Sequence, residues 1–133
     1  MAPRKVYYKK GDAFSEWHRI HIGWACIDID WVETCKRCKK ILFIGETAVD
    51  KGHNRKATYI TEDIAERLGV VGYLVFYKLN NREEIVGFRV KQIYPRKNGF
   101  TNYTPEMFED FISHWHMGHD KSCPVLLKKN EDN

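Results

Sequence analysis

Three acids in the first half of the chain have the types and spacing to hold a cation. Asp28 and Asp30 sit two apart in Cys26-Ile-Asp-Ile-Asp-Trp-Val-Glu33, and Glu46 follows the apolar run Ile41-Leu-Phe-Ile44. Residues 24–32 alternate: Cys26, Asp28 and Asp30 point one way, Ile27, Ile29 and Trp31 the other, as in a half-buried strand. Residues 41–48 read as a second strand, with Leu42, Ile44, Glu46 and Ala48 on one face. The short link between them predicts an antiparallel hairpin. A hairpin centred on Arg37 sets Asp28 opposite Glu46; one centred on Cys38 sets Asp30 there. Either register keeps the acids on one face, because the side-chain period is two. Facing side chains lie about 5 Å apart, and like charges that close repel unless a cation sits between them. Mg²⁺ or Mn²⁺ suits such a site, since hard cations take carboxylate oxygens and keep positions open for water and phosphate. The plainer reading of Asp28, Asp30 and Glu33 is the solvated face of an edge hairpin. Glu46 fits that less well, coming directly after so apolar a run.

A second constellation is built on sulfur. Cys35-Lys-Arg-Cys38 lies at the predicted hairpin tip, a spacing that lets two thiolates share one zinc ion. Two more ligands are needed. A helical segment near the C-terminus offers His116, His119 and Cys123 on one face, so the second pair is His119 with Cys123 or His116 with His119; His53 is a further candidate. The alternative, two exposed free thiols among Lys36, Arg37, Lys39 and Lys40, would leave a reactive pair.

The elements around these residues follow from pattern. Residues 1–11 read as a basic arm. Asp12 caps a helix over residues 13–19, with Phe14 and Trp17 on one side. Residues 49–59 form a polar, basic loop holding Lys51, His53, Arg55 and Lys56. Thr61 reads as the N-cap of a helix ending at Leu68, with Gly69 at C′. Residues 70–79 form a buried strand, a turn falls at Asn80-Asn81, and residues 84–94 complete a second hairpin. Thr104-Pro105-Glu106 starts a last helix carrying Met107, Phe108, Phe111 and Ile112. Gly118 reads as its end and residues 128–133 as frayed. A strand–helix–strand crossover in the middle predicts one parallel pair. The fold class is α/β or α+β, a mixed sheet flanked by helices. The four tryptophans (Trp17, Trp24, Trp31, Trp115) read mainly as packing residues, though any could stack on a base.

The chain has 133 residues, enough for one domain. With 43% hydrophobic and 30% charged residues it is neither disordered nor a membrane protein by composition. The net charge of +4 permits nucleic-acid contact. No secretory signal is apparent, so a reducing cytoplasm is expected and disulfides are not. No Gly-rich phosphate loop, Ser-His-Asp pattern or H-E-x-x-H is present, which argues against nucleotide cofactors, serine hydrolases and zincin proteases.

The acid–hairpin–acid segment, with a helix before it and a helix and apolar strand after it, resembles the PD-(D/E)xK nuclease superfamily. The likeness is to small phage-type members with a cysteine pair in the hairpin. It spans residues 12–79. The resemblance implies a restriction-endonuclease-like core over residues 12–94, with residues 104–123 as a C-terminal helix and zinc-ligand segment. It further implies a metal-dependent deoxyribonuclease in a bacterial or phage-infected cell. Asp30 or Asp28 matches the family's Asp, Glu46 its Glu, and Glu16 the extra acid that Holliday-junction resolvases carry on their first helix. Those resolvases imply a homodimer. The family's lysine falls at position 48, where this chain has Ala48. Either Lys51 or Lys56 reaches in, or catalysis is impaired and the chain is a nucleic-acid-binding or phage accessory protein stapled by zinc. Lys36, Arg37, Lys39, Lys40 and Arg55 are the expected contacts to DNA phosphates.

Overall fold

In a computed structural model, residues 13–22 and 29–131 are described. The elements are α1 (Ala13–His21), β1 (Trp31–Thr34), β2 (Ile41–Val49), α2 (Tyr59–Leu68), β3 (Val71–Leu79), β4 (Ile85–Tyr94), β5 (Thr101–Tyr103), α3 (Pro105–Asp120) and α4 (Pro124–Glu131). The class is α+β, with one five-stranded mixed sheet in chain order. Strands β2 and β3 are parallel, joined through α2, and every other pairing is antiparallel. Among the described residues no helix is long and apolar enough to cross a membrane.

Helices cover the two faces of the sheet, which is why the two parallel strands are apolar almost throughout. On one face, α2 lies over β2, β3 and β4. Ala65 packs so closely on β3 that a Cβ added at Gly72 would meet its side chain at 3.4 Å. Ile44, Glu46 and Ala48 stand on this face beside Gly72, Leu74 and Phe76. On the other face, α3 lays Phe108, Phe111 and Trp115 over Phe43 and Tyr73. The rings of Phe43 meet Trp31 and Tyr73 edge-on at 4.7 and 5.2 Å, and Phe88 stacks on Phe108 at 4.0 Å. The Trp115 indole donates to the Tyr73 hydroxyl at 3.1 Å. Trp31 and Trp115 are thus packing residues. Gly45 is required by close approach: a Cβ there would lie 2.9 Å from the Tyr73 carbonyl oxygen and 3.0 Å from the Trp31 ring.

Several boundaries differ from the sequence reading. The described first strand is Trp31–Thr34 rather than residues 24–32; Cys26 and Asp28 lie outside the described residues, as do the basic arm and Asp12. Helix α2 starts one turn early, after Thr58, so Thr61 is inside it and buried rather than capping it. Gly69 does close it, in the left-handed region at φ 69°. The Thr104 cap is as expected, its hydroxyl accepting from the Met107 amide. Helix α3 passes through Gly118 to Asp120, because a single glycine weakens a packed helix by only about 1 kcal/mol. Of residues 128–133, expected to fray, 128–131 belong to α4 and the last two lie outside the described residues, and the sheet continues past residue 94 into β5.

Candidate functional site

The β1–β2 ladder pairs Trp31 with Gly45, Val32 with Ile44 and Glu33 with Phe43. This is the register centred on Cys38, and one step further it brings Asp30 beside Glu46. The Glu46 carboxylate is buried beneath α2, where Thr61 donates to Oε1 at 2.5 Å. Thr61 is turned inward because α2 begins before it, so a residue that resembles a cap instead holds an acid. Asp30 accepts from the Thr47 amide at 3.1 Å.

Between the two acids sits Lys56. Its Nζ is 2.6 Å from Asp30 Oδ2, 3.2 Å from Glu46 Oε2 and 2.6 Å from the Thr47 carbonyl oxygen. Three hard oxygens therefore converge on one cation. Burial raises the Glu46 pKa; the Thr61 hydroxyl pulls it back, and Asp30 pushes it up further. Burial also pushes on Asp30, but the Lys56 ammonium and the Thr47 amide outweigh it and hold the carboxyl low. Burial works against the Lys56 charge, and its bonds to the two acids more than restore it. The two carboxyls are thus pushed in opposite directions, Asp30 down and Glu46 up. Of the two lysines named from the sequence, Lys56 reaches the acids; Lys51 is exposed in the turn after Asp50. Glu16 lies on α1, and its side chain is outside the described residues. Beside Asp30 and Thr47 opens an apolar groove of about 350 Å³, walled by Trp31, Tyr77, Phe88 and Phe108.

The second cluster lies at the other end of the β1–β2 ladder. Six residues separate Lys40 from Glu46, about 20 Å of extended strand. The turn after β1 is closed by the Cys35 amide donating to the Lys40 carbonyl at 2.8 Å and the Lys39 amide to the Cys35 carbonyl at 2.9 Å. It presents both thiols toward the junction of α3 and α4. There Cys35, Cys38, His119 and Cys123 bring four ligand atoms within 4.8 Å of one another. Cys35 and Cys123 sulfurs are 3.9 Å apart, and Cys38 Sγ is 3.2 Å from His119 Nε2. A tetrahedral zinc with bonds of 2.0–2.3 Å sets ligand separations of roughly 3.5–3.8 Å, so this cluster can hold a zinc ion. Cys123 precedes α4, accepting at its carbonyl from the Leu127 amide. The amides of Leu126 and Val125 and the Arg37 guanidinium bring its thiol down to about 6, favouring the thiolate a metal needs. For Cys38 the Lys40 amide pulls down, burial and the neighbouring thiols pull up, and the net shift is upward.

The remaining candidates are used elsewhere. His116 meets Glu33 at 2.6 Å, and Glu33 also accepts from the Trp31 indole at 2.9 Å, so neither Glu33 nor His116 is simply solvated. His53 packs on the Phe76 ring at 5.1 Å. Arg37 is paired with Asp120 and beside Cys123, and the Lys39 ammonium donates to the Lys36 carbonyl at 2.8 Å. These two basic residues of the turn shape the cysteine cluster, and with Lys36 and Lys40 they stand a ladder's length from the acids. Arg55, by contrast, is exposed on the loop that carries Lys56. No family model, no curated protein and no solved structure matches the chain, and the geometry of these two clusters is what bears on its function.

Proposed function

We propose that the chain is a metal-dependent nuclease of the PD-(D/E)xK type, in which Asp30 and Glu46 are the paired acids and Lys56 replaces the lysine missing at position 48. One observation carries this reading: the Lys56 ammonium bridges the two acids from a loop, eight residues beyond Ala48. The order of helix, hairpin, helix and parallel strand supports this reading, although such a core carries one more strand before the hairpin than the described residues contain. The donor types suit Mg²⁺ or Mn²⁺: Asp30, Glu46 and the Thr47 carbonyl aim oxygens at one point, which the Lys56 ammonium fills, so a metal held by them would take its place and turn it toward the phosphate. Such an ion, when bound, polarises a phosphodiester and acidifies a water. Asp30 and Glu46 would supply the negative charge that holds the ion, and Lys56 sets a positive charge against the phosphate. Arg55 and Lys51, exposed on the loop that carries Lys56, are the residues this reading assigns to backbone phosphates. Zinc at Cys35, Cys38, His119 and Cys123 is structural in this reading, because all four ligand positions of a closed tetrahedral site are protein atoms.

A second reading is a nuclease-fold nucleic-acid-binding or accessory protein. It is favoured by the closeness of the Lys56 ammonium to Asp30 and to the Thr47 carbonyl, each at 2.6 Å. An internal cation that tight would neutralise the acids without a metal.

The test is cleavage of supercoiled, single-stranded and branched DNA by zinc-loaded protein with Mg²⁺, Mn²⁺ or EDTA. Metal-dependent cleavage that falls at least about 100-fold in Glu46→Gln and in Lys56→Met is expected. Folded protein that cuts nothing, yet binds DNA in a salt-sensitive way, would establish the second reading.

A further inference from the structure

Lys56 lies on a loop, residues 50–58, and a lysine on a loose loop could not hold a fixed place between two acids. What fixes this loop is Arg89, two strands away. Arg89 is on β4, and its guanidinium crosses β3 to the loop that leaves β2. Nε and one terminal nitrogen grip the Asp50 carboxylate at 2.8 and 3.0 Å. The same terminal nitrogen donates to the His53 carbonyl at 2.7 Å, and the other donates to Asn54 Oδ1 at 2.5 Å. The guanidinium carbon sits 4.9 Å from the ring centres of both Phe76 and Phe100. Asp50 is further tied by its amide to the Tyr77 carbonyl at 2.7 Å, and it accepts from the Gly52 amide. One side chain thus holds loop positions 50, 53 and 54, and Lys56 follows two residues later.

We infer that Arg89 is a positioning residue for the acid–lysine site: it clamps the 50–54 segment so that the Lys56 ammonium is delivered to Asp30 and Glu46. The inference rests on the nuclease reading for its catalytic consequence, but not for the position of Lys56. The chemistry calls for arginine in particular. A planar fork can satisfy a carboxylate, an amide oxygen and a carbonyl at once while lying against two rings; the compact ammonium of lysine cannot. The pair is well shielded, with Arg89 and Asp50 side chains 22% and 16% exposed, so salt screens it little.

The experiment compares wild type, Arg89→Met, Arg89→Lys and the milder Asn54→Ala, each zinc-loaded. The first readout is the ¹⁵N signal of the Lys56 ammonium, assigned by its loss in Lys56→Met. The second is cleavage, separated into kcat and KM. In wild type the ammonium signal should be shifted from that of free lysine and protected from water exchange. In Arg89→Met it should move to the free position, with kcat falling at least about 10-fold and KM changing less than about 2-fold. Arg89→Lys should not restore either readout, and Asn54→Ala, which loses one contact, should fall between. An unchanged ammonium signal in folded Arg89→Met or Asn54→Ala overturns the inference, and so does rescue by lysine. If wild type does not cleave, the nuclease reading fails, while the ammonium signal still decides the clamp.

Discussion

Replacing Lys56 by methionine keeps most of the side-chain volume and removes the charge, so it isolates what the ammonium does. In the native site Glu46 is 7% exposed by side chain, Lys56 30% and Asp30 34%. Breaking a fully buried ion pair costs about 3–5 kcal/mol, and an exposed pair is worth about 0–1. This triad lies between those limits, and discounting for the solvent-facing Asp30 gives about 2 kcal/mol. The loss depends on pH. A carboxyl whose folded pKa is raised, as at Glu46, adds stability below its unfolded pKa and loses it as pH rises through the folded value. Without Lys56 that folded value climbs further, so the deficit is largest above it and shrinks as Glu46 takes up a proton. Asp30 has the opposite sense: its depressed pKa adds stability above the unfolded value, lost as pH falls through the folded one. The assay is urea unfolding of zinc-loaded wild type, Lys56→Met, Glu46→Gln and the double variant at about pH 8 and about pH 5. Lys56→Met should lose about 2 kcal/mol at the higher pH and less than half of that at the lower. The cycle should show coupling of about 1 kcal/mol or more between Lys56 and Glu46. A loss under about 0.5 kcal/mol with coupling near zero would refute the reasoning, since the ammonium would then not sit among those oxygens.

Two more outcomes follow from the fold. Purified protein should take up one zinc or cobalt ion per chain. Cobalt should give a thiolate-rich tetrahedral spectrum whose d–d bands shift in His119→Ala and stay unchanged in His116→Ala; bands unmoved by the His119 change would exclude this ligand set. Gly45→Ala should cost about 2 kcal/mol by thermal melting, because the new methyl meets the Tyr73 carbonyl at 2.9 Å and the Trp31 ring at 3.0 Å. Adding Trp31→Leu should recover only part of that, since the backbone oxygen remains.

The parts of the site legible in the sequence are those fixed by period and spacing. Alternation placed Asp28, Asp30 and Glu46 on one face, but which aspartate stands beside Glu46 depends on a one-residue choice of hairpin centre that only the ladder itself fixes. The sulfur cluster was readable from its spacing, although its second pair stayed open between His116 and Cys123. That choice depends on where α3 stops, and a lone Gly118 does not stop a helix whose Phe108, Phe111 and Trp115 are packed on the sheet. The inward turn of Thr61 was not legible either, because Thr58 and Thr61 are equally good caps by type. Lys56 could be named only as one of two lysines on a loop. Its selection depends on Arg89, more than thirty residues away, and no local pattern joins those positions. The strand β5 was missed because three residues in a polar stretch carry no usable period.

The sulfur cluster joins distant parts of the chain: Cys35 and Cys123 are 88 residues apart. Closing a loop of that size removes about 4–5 kcal/mol of chain entropy from the unfolded ensemble in the cross-link model, and a metal that makes the closure reversible ties that gain to its own supply. The order of synthesis adds a second effect. Cys35 and Cys38 leave the ribosome while His119 and Cys123 are still untranslated, so the nascent chain carries half a metal site through the folding of four of its five strands. Tight capture of an ion by this cluster would have to wait for the last helices, and a bound ion would then act as a seal that only a chain extending through Cys123 can close.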